Sequence, residues 1–300
     1  MATELESTQD QVLAVPRRRQ TNFEFFLYIL RHKPLGSLGF FLVGFIILVA
    51  VFADVIAPFT YQEQNYTELK VSPNTTFFFG TDQFGRDIFS RVVHGARISM
   101  MVGFLAVIFG TGVGAVVGLI SGYFMGKLDV IVQRITDMWM SIPDLVMALT
   151  IVAVFGNTIP NVILAIAATI LPRGVRIIRS VTISIREMDY TLAAVAIGSS
   201  SPRIMMRHIL PNTAAPLLII MSSMFGTAIL TEAGLSFLGL GISEPTPSWG
   251  RMLTGQAAQY LASSPWILIF PGLAITITVM GFAFCGDALR DIFDPKQRGR

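Results

Sequence analysis

Cysteine is nearly absent from this chain: Cys285 stands alone, so no disulfide can close within it and no cysteine cluster can hold a metal. It lies in an apolar stretch, where a packed thiol is its expected role. Histidine is almost as scarce, with His32, His94 and His208 far apart and no HExxH pair, so a zinc site is not expected. Charge is thin too, at 14% of residues where soluble domains carry about 25%. The 22 basic and 19 acidic residues leave a net +3, which offers neither an acidic tail nor the basic surplus that would attract nucleic acid. A phosphate-cradling loop is also missing. Its backbone N–H groups and lysine need Gly, four residues and then Gly-Lys-Ser/Thr. The nearest string, GYFMGKL at 122–128, is one residue short and has Leu128 in place of the magnesium-binding hydroxyl. GLSFLG at 234–239 is not a Gly-x-Ser-x-Gly elbow. No catalytic, cofactor or metal site is therefore expected on this chain, and the chain is not read as an enzyme.

What the chain has in abundance is apolar sequence, 53% of its residues, with a mean hydropathy of +0.64. A spanning helix takes roughly 20 apolar residues, and runs of about that length lie at 38–57, 99–121, 138–156, 159–175, 212–233 and 265–286. A β-barrel would alternate in short segments, and this sequence does not. The fold class expected is an all-α integral membrane protein with about six transmembrane helices. No small-residue cleavage pattern follows the first run, which is read as an uncleaved span. Gly156, Asn157, Thr158 and Pro160 suit a tight turn between the third and fourth runs. Arg17, Arg18, Arg19, Arg31 and Lys33 precede the first span, Lys127 and Arg134 follow the second, six arginines fall between 173 and 208, and Lys296, Arg298 and Arg300 end the chain. The positive-inside bias places all of these in the cytoplasm, with 58–95 and 234–264 outside.

In the second span, Ala106, Gly110, Gly114, Gly118 and Gly122 recur every four residues, a flat stripe on which another helix can pack closely. Asp137, Asp144 and Glu232 lie near apolar runs, where charge is costly. One reading sets them in a transport pathway, with Asp137 and Asp144 on roughly one helix face if Pro143 allows it. The other makes the two aspartates interfacial residues bonded to neighbouring helices and Glu232 a loop cap. Residues 185–211 form the most informative stretch. Met188, Leu192, Val195 and Ala196 have helical spacing, Gly198 and Ser199–Ser201 interrupt it, and Pro202 suits the start of a second helix. Such a helix–bend–helix knob would either fit a groove on a soluble partner or rest on anionic headgroups.

Ala193 and Ala194, then Gly198, then Leu210 and Pro211 resemble the cytoplasmic motif of ATP-binding-cassette importer permeases. FGTDQFGRDIFSRVVHGARIS at 79–99, EAGLSFLGLGISEPTPSWG at 232–250 and GDALRDIFDPK at 286–296 narrow the likeness to the second, C-type permease of dipeptide, oligopeptide and nickel importers. One departure stands out: the family motif opens with Glu before the two alanines, and this chain has Leu192. The resemblance implies a cytoplasmic segment at 1–36, a first transmembrane helix at 37–58, an extracytoplasmic loop at 59–95, a permease core at 96–290 and a tail at 291–300. Within the core it implies a coupling segment at 185–211 and an outward loop at 234–264. Tyr190, Leu192, Ala193, Ala194, Gly198, Ser199, Pro202, Arg203, Leu210 and Pro211 would meet the ATPase. Asp82, Gly85, Arg86, Asp87, Pro247 and Trp249 would face an extracytoplasmic binding protein, with Trp249 as an interfacial anchor or the loop as a structural plug. His208 is read as a surface or interface residue. The implied partners are a second homologous permease, two ATP-binding subunits that carry ATP and magnesium, a substrate-binding protein and the lipid bilayer of a prokaryotic plasma membrane. The implied cargo is a dipeptide or short oligopeptide, with nickel or its chelate as the alternative. An ion-coupled transporter would instead need acidic residues deep in the spans.

Overall fold

In the computed structural model, residues 34–254 and 259–293 are described. The basic residues at 17–19, 31 and 33 and those at 296, 298 and 300 lie outside them. The elements are helices throughout: α1 (Pro34–Val51), α2 (Ala53–Ile56), α3 (Ile88–Phe124), α4 (Gly126–Met140), α5 (Asp144–Phe155), α6 (Ile159–Arg186), α7 (Asp189–Ala196), α8 (Ser201–Phe237), α9 (Trp249–Met252) and α10 (Trp266–Phe293). Among the described residues the one β feature is an isolated bridge between Thr81 and Asp87.

Five of these helices, α1, α3, α6, α8 and α10, are long and apolar enough to cross a bilayer, and α4 with α5 makes a sixth if the bent pair counts as one span. That third unit corrects the sequence expectation. The run at 138–156 is not a straight helix, because the chain breaks at Ser141–Pro143 and turns by 87°. Pro143 cannot donate to a helical carbonyl and biases the residue before it away from α geometry. Asp137 and Asp144 consequently sit on different helices. Two boundaries move as well. The first helix ends at Val51, short of 58, and α3 begins at Ile88, within the stretch expected to be loop. The side chain of Asp87 accepts the Ser90 N–H at 2.7 Å, which caps that helix start. The tight turn expected after the third run is present, with Gly156 at φ +90° closing α5.

The glycine stripe of α3 sets the central contact. A Cβ added at Gly110, Gly114, Gly118 or Gly122 would meet a carbonyl oxygen of Ala167, Leu171, Val175 or Arg179 at 2.6, 2.6, 2.5 or 2.8 Å. The four carbonyls are themselves four residues apart, so the backbones of α3 and α6 lie against each other along four successive turns. In lipid no hydrophobic force drives helices together, and such contact is what holds them. The remaining helices pack around this pair. Phe225 of α8 stacks on Phe282 of α10 at 3.7 Å, and Gly39 of α1 lets Phe284 of α10 approach. Arg97 of α3 closes the end of α1, with Nε donating to Ala50 O at 3.0 Å and Nη2 to Asp54 at 3.0 Å.

Gly114→Ala forces a methyl into the α6 backbone and is expected to cost about 1–3 kcal/mol. Gly112 has open space around its Cα, so Gly112→Ala on the same helix should leave stability unchanged within about 0.5 kcal/mol. Thermal unfolding of the purified variants checks the contrast. Equal midpoints for the two would show that α3 and α6 do not touch through this stripe.

Candidate functional site

The segment joining α6 to α8 forms a compact knob between two spanning helices. α7 is held to α6 by its inner face. Thr191 is fully buried and its Oγ1 donates to Ile185 O at 2.9 Å, while Ala194 packs into a cluster with Ile178, Ile185, Ile204 and Ile209. The spacing between Ala194 and Gly198 has a geometric cause. Ser199 N–H donates to Ala194 O at 3.0 Å and Gly198 N–H to Val195 O at 2.9 Å, the pair of bonds that ends a helix with a left-handed residue. Gly198 supplies that conformation with φ +79°. Ser200 and Pro202 then open α8, as the sequence indicated.

The outer face of the knob is apolar and uncovered. Leu192 and Val195 are each 53% exposed and Ile197 is 83% exposed, with Met188, Tyr190 and Met206 beside them. Ala193, Pro202, Arg203 and Pro211 are also exposed, Ser199 and Leu210 half-buried. Ile197 and Met206 escaped the sequence reading. The signal for Ile197 was an apolar residue directly before a helix-ending glycine, a position that packing inside the chain does not use.

Behind the knob, α8 contains a π-turn at Met205–Ile209. Pro211 has no N–H to give the carbonyl four residues back, and the wider turn accommodates that gap, with Leu210 N–H reaching Met205 O. His208 lies in this turn with its ring 6.3 Å from that of Tyr190, at the junction of α7 and α8.

Three ion pairs tie α6 to the bent α4–α5 unit. Arg173 pairs with Asp144, Arg176 with Asp137 at 2.7 Å, and Arg179 grips Asp129 through two bonds of 2.6 and 2.5 Å. Asp137 and Asp144 are thus bonded to a neighbouring helix, the second of the two readings offered for them. The Arg179–Asp129 pair is the most enclosed, and Ser121 donates to the same carboxylate at 2.5 Å. A fourth tie arises from Pro172, which leaves the carbonyl of Ala168 without its helical donor. Trp139 Nε1 donates to that oxygen at 3.1 Å.

The loops expected to face outward are less exposed than their turn-rich sequences indicate. Asp82, Gly85, Arg86, Asp87, Pro247 and Trp249 are all buried within the chain, where they build the loops. Trp249 is a core residue and not an anchor in lipid headgroups. It is 1% exposed, its N–H donates to Ser99 Oγ at 3.1 Å and its indole N–H to Val92 O at 2.9 Å. Glu232, 1% exposed, receives Ser236 Oγ at 2.9 Å and Ser248 Oγ at 2.7 Å, which fastens the loop before α9 to the end of α8. In this arrangement it closes a loop and does not line an open path. The exposed parts of the loop are Leu238, Gly239 and Ser243–Pro245.

Residues 114–299, which include the whole knob, match the model of the binding-protein-dependent transport system inner membrane component. The chain belongs to that family. Residues 24–73 match the N-terminal transmembrane domain of oligopeptide transport permease C, the subtype read from the sequence. A dipeptide transport system permease protein of Alkalihalophilus pseudofirmus is 42% identical over 269 residues, covering 90% of this chain and 88% of the relative. A glutathione transport system permease protein of Escherichia coli is 38% identical over 288 residues, covering 96% and 95%. The chain is therefore an integral membrane permease subunit of an ATP-binding-cassette importer.

Asp129→Asn leaves the half-buried Arg179 without its counter-charge, at an expected cost of about 3 kcal/mol. Asp137→Asn removes a pair whose side chains are about half exposed, and should cost under about 1 kcal/mol. Unfolding midpoints of the purified variants test this order, and a larger loss at Asp137 would reverse it.

Proposed function

We infer that this chain forms, with a second homologous permease, the membrane pathway of an importer for dipeptides or short oligopeptides. A substrate-binding protein delivers the cargo from outside, and two ATP-binding subunits carrying ATP and magnesium supply the energy. The relatives favour the cargo class, since those quoted are named for dipeptide and glutathione transport. The observation that carries the reading is the uncovered apolar face of α7. A patch built on Leu192, Val195 and Ile197 between two spanning helices needs a protein partner.

The permease takes part through packing and position. Closure of the two ATPases would move α7. Thr191 and Ala194 join α7 to α6, and the Gly198 turn joins it to α8. Displacement of the knob is then passed to α6 and, through the glycine stripe, to α3. The three arginine pairs make α4 and α5 move with α6. The result is an exchange of two packed arrangements, one open inward and one outward. Loaded binding protein and ATP drive that exchange by binding the outward-open form more tightly. In this reading both termini and the knob are cytoplasmic, the loops at 59–87 and 238–265 face outward in a prokaryotic plasma membrane, and the binding protein seats over Ser243–Pro245. ATPase contact falls to Tyr190, Leu192, Ala193, Pro202 and Arg203 as well as Val195 and Ile197.

Leu192→Asp with Val195→Asp places two carboxylates where the partner groove must accept apolar groups. Co-purification of the ATPase subunits and ATP-driven dipeptide uptake should both fall more than about tenfold, given a loss of roughly 1.5–3 kcal/mol for each buried aliphatic contact. Retention of both at the wild-type level would remove α7 as the docking element.

A further inference from the structure

Three arginines converge on one small pocket, and only two carboxylates of that pocket answer them. Arg86 and Arg91 are 4% and 2% exposed, and Arg251 approaches from α9. Asp82 binds Arg86 Nε at 2.6 Å and lies 3.9 Å from Arg91 Nε. Its other oxygen accepts the N–H groups of Phe84 at 2.8 Å and Arg86 at 3.0 Å, so its acceptors are largely occupied. Glu244 stands 3.5 Å from Arg86 Nη1 and 4.0 Å from Arg251 Nε, both beyond a good hydrogen bond. Asp87 is next in sequence but caps α3 and does not line the pocket. Arg91 Nη1 spends one donor on Tyr61 O at 3.0 Å. Each guanidinium has five N–H donors, and most of those here have no acceptor among the contacts described.

Burying a cation short of a counter-charge is costly. The pocket is one negative charge short, and its open volume of about 30 Å³ has room for roughly two water-sized atoms. A carboxylate brings the missing negative charge and two oxygens within that volume, and forked guanidinium donors suit it. We propose that Arg86, Arg91 and Arg251 form a carboxylate-binding site at the outward face, filled by an acidic side chain of the docked binding protein or by the C-terminal carboxylate of the arriving peptide. The outward placement rests on the function inferred above. Exposed Glu244 at the rim is the residue a stronger carboxylate ligand would displace from Arg86.

Arg251→Gln is the test variant, because the 4.0 Å contact it removes contributes little to stability. The direct probe is acetate. At equal ionic strength, replacing sodium chloride with sodium acetate should raise the unfolding midpoint of the purified wild-type permease and leave that of Arg251→Gln unmoved. The same response in both proteins overturns the site, whatever the transport assays give. In the assembled importer in lipid nanodiscs, Arg251→Gln should raise about tenfold the concentration of loaded binding protein needed for half-maximal ATPase stimulation, the size of one lost charge-assisted hydrogen bond. A rise seen both with a dipeptide and with its C-terminal amide assigns the carboxylate to the binding protein. A rise confined to the free-acid peptide assigns it to the cargo. An unchanged half-maximum with both cargoes overturns the proposal, whereas failure of ATPase subunits to co-purify with the wild type counts against the importer reading alone.

Discussion

The rest of the molecule depends on backbone touching backbone between α3 and α6. Glycine at 110, 114, 118 and 122 brings one helix onto the carbonyls of the other along four turns. In lipid, close contact between polar backbone edges and small side chains replaces the force that water supplies to soluble proteins. The pair also resists compression, because atoms already at van der Waals distance cannot move closer. Motion of one helix must carry the other, which makes the pair suited to relay a displacement from one membrane face to the other.

Around this pair, polar groups that lipid would leave stranded are put to use. Three arginines on α6 could not remain unpaired near hydrocarbon, and three aspartates from α4 and α5 answer them. Pro172 frees a carbonyl, and Trp139 takes it. Pro211 frees another, and α8 widens around it. The bend at Pro143 lets this partnership form, since a straight helix through 138–156 would set Asp137 and Asp144 on one continuous surface.

Much of this was legible in the sequence. The glycine stripe was read as a close helix contact from its four-residue period, and the α7–Gly198–α8 knob from a broken helical pattern followed by proline. Number and order of spans came from apolar run lengths, because the bilayer imposes a length that soluble domains lack. The bend at Pro143 was not read, since proline inside spanning helices has two outcomes. It is tolerated at Pro172, Pro216 and Pro271, yet it breaks the chain at 143. Loop burial was also misjudged. Asp82, Arg86 and Trp249 belong to turn-rich polar strings that look solvent-facing, and only tertiary contacts 150 or more residues apart, such as Ser99 with Trp249, draw the tryptophan inward.

The π-turn at Met205–Ile209 has a geometric consequence for how the knob is aimed. It inserts one residue beyond what α geometry needs, so side chains before it stand about 100° out of phase with those after it. The helix can therefore bury Ile204 beside Ala194 of α7 and, more than two turns later, Thr213 and Ile220 against the other helices. Removing a single residue from this turn would keep the helix but swing the knob about the α8 axis by more than a quarter of a revolution, carrying the apolar face of α7 away from where a partner now meets it.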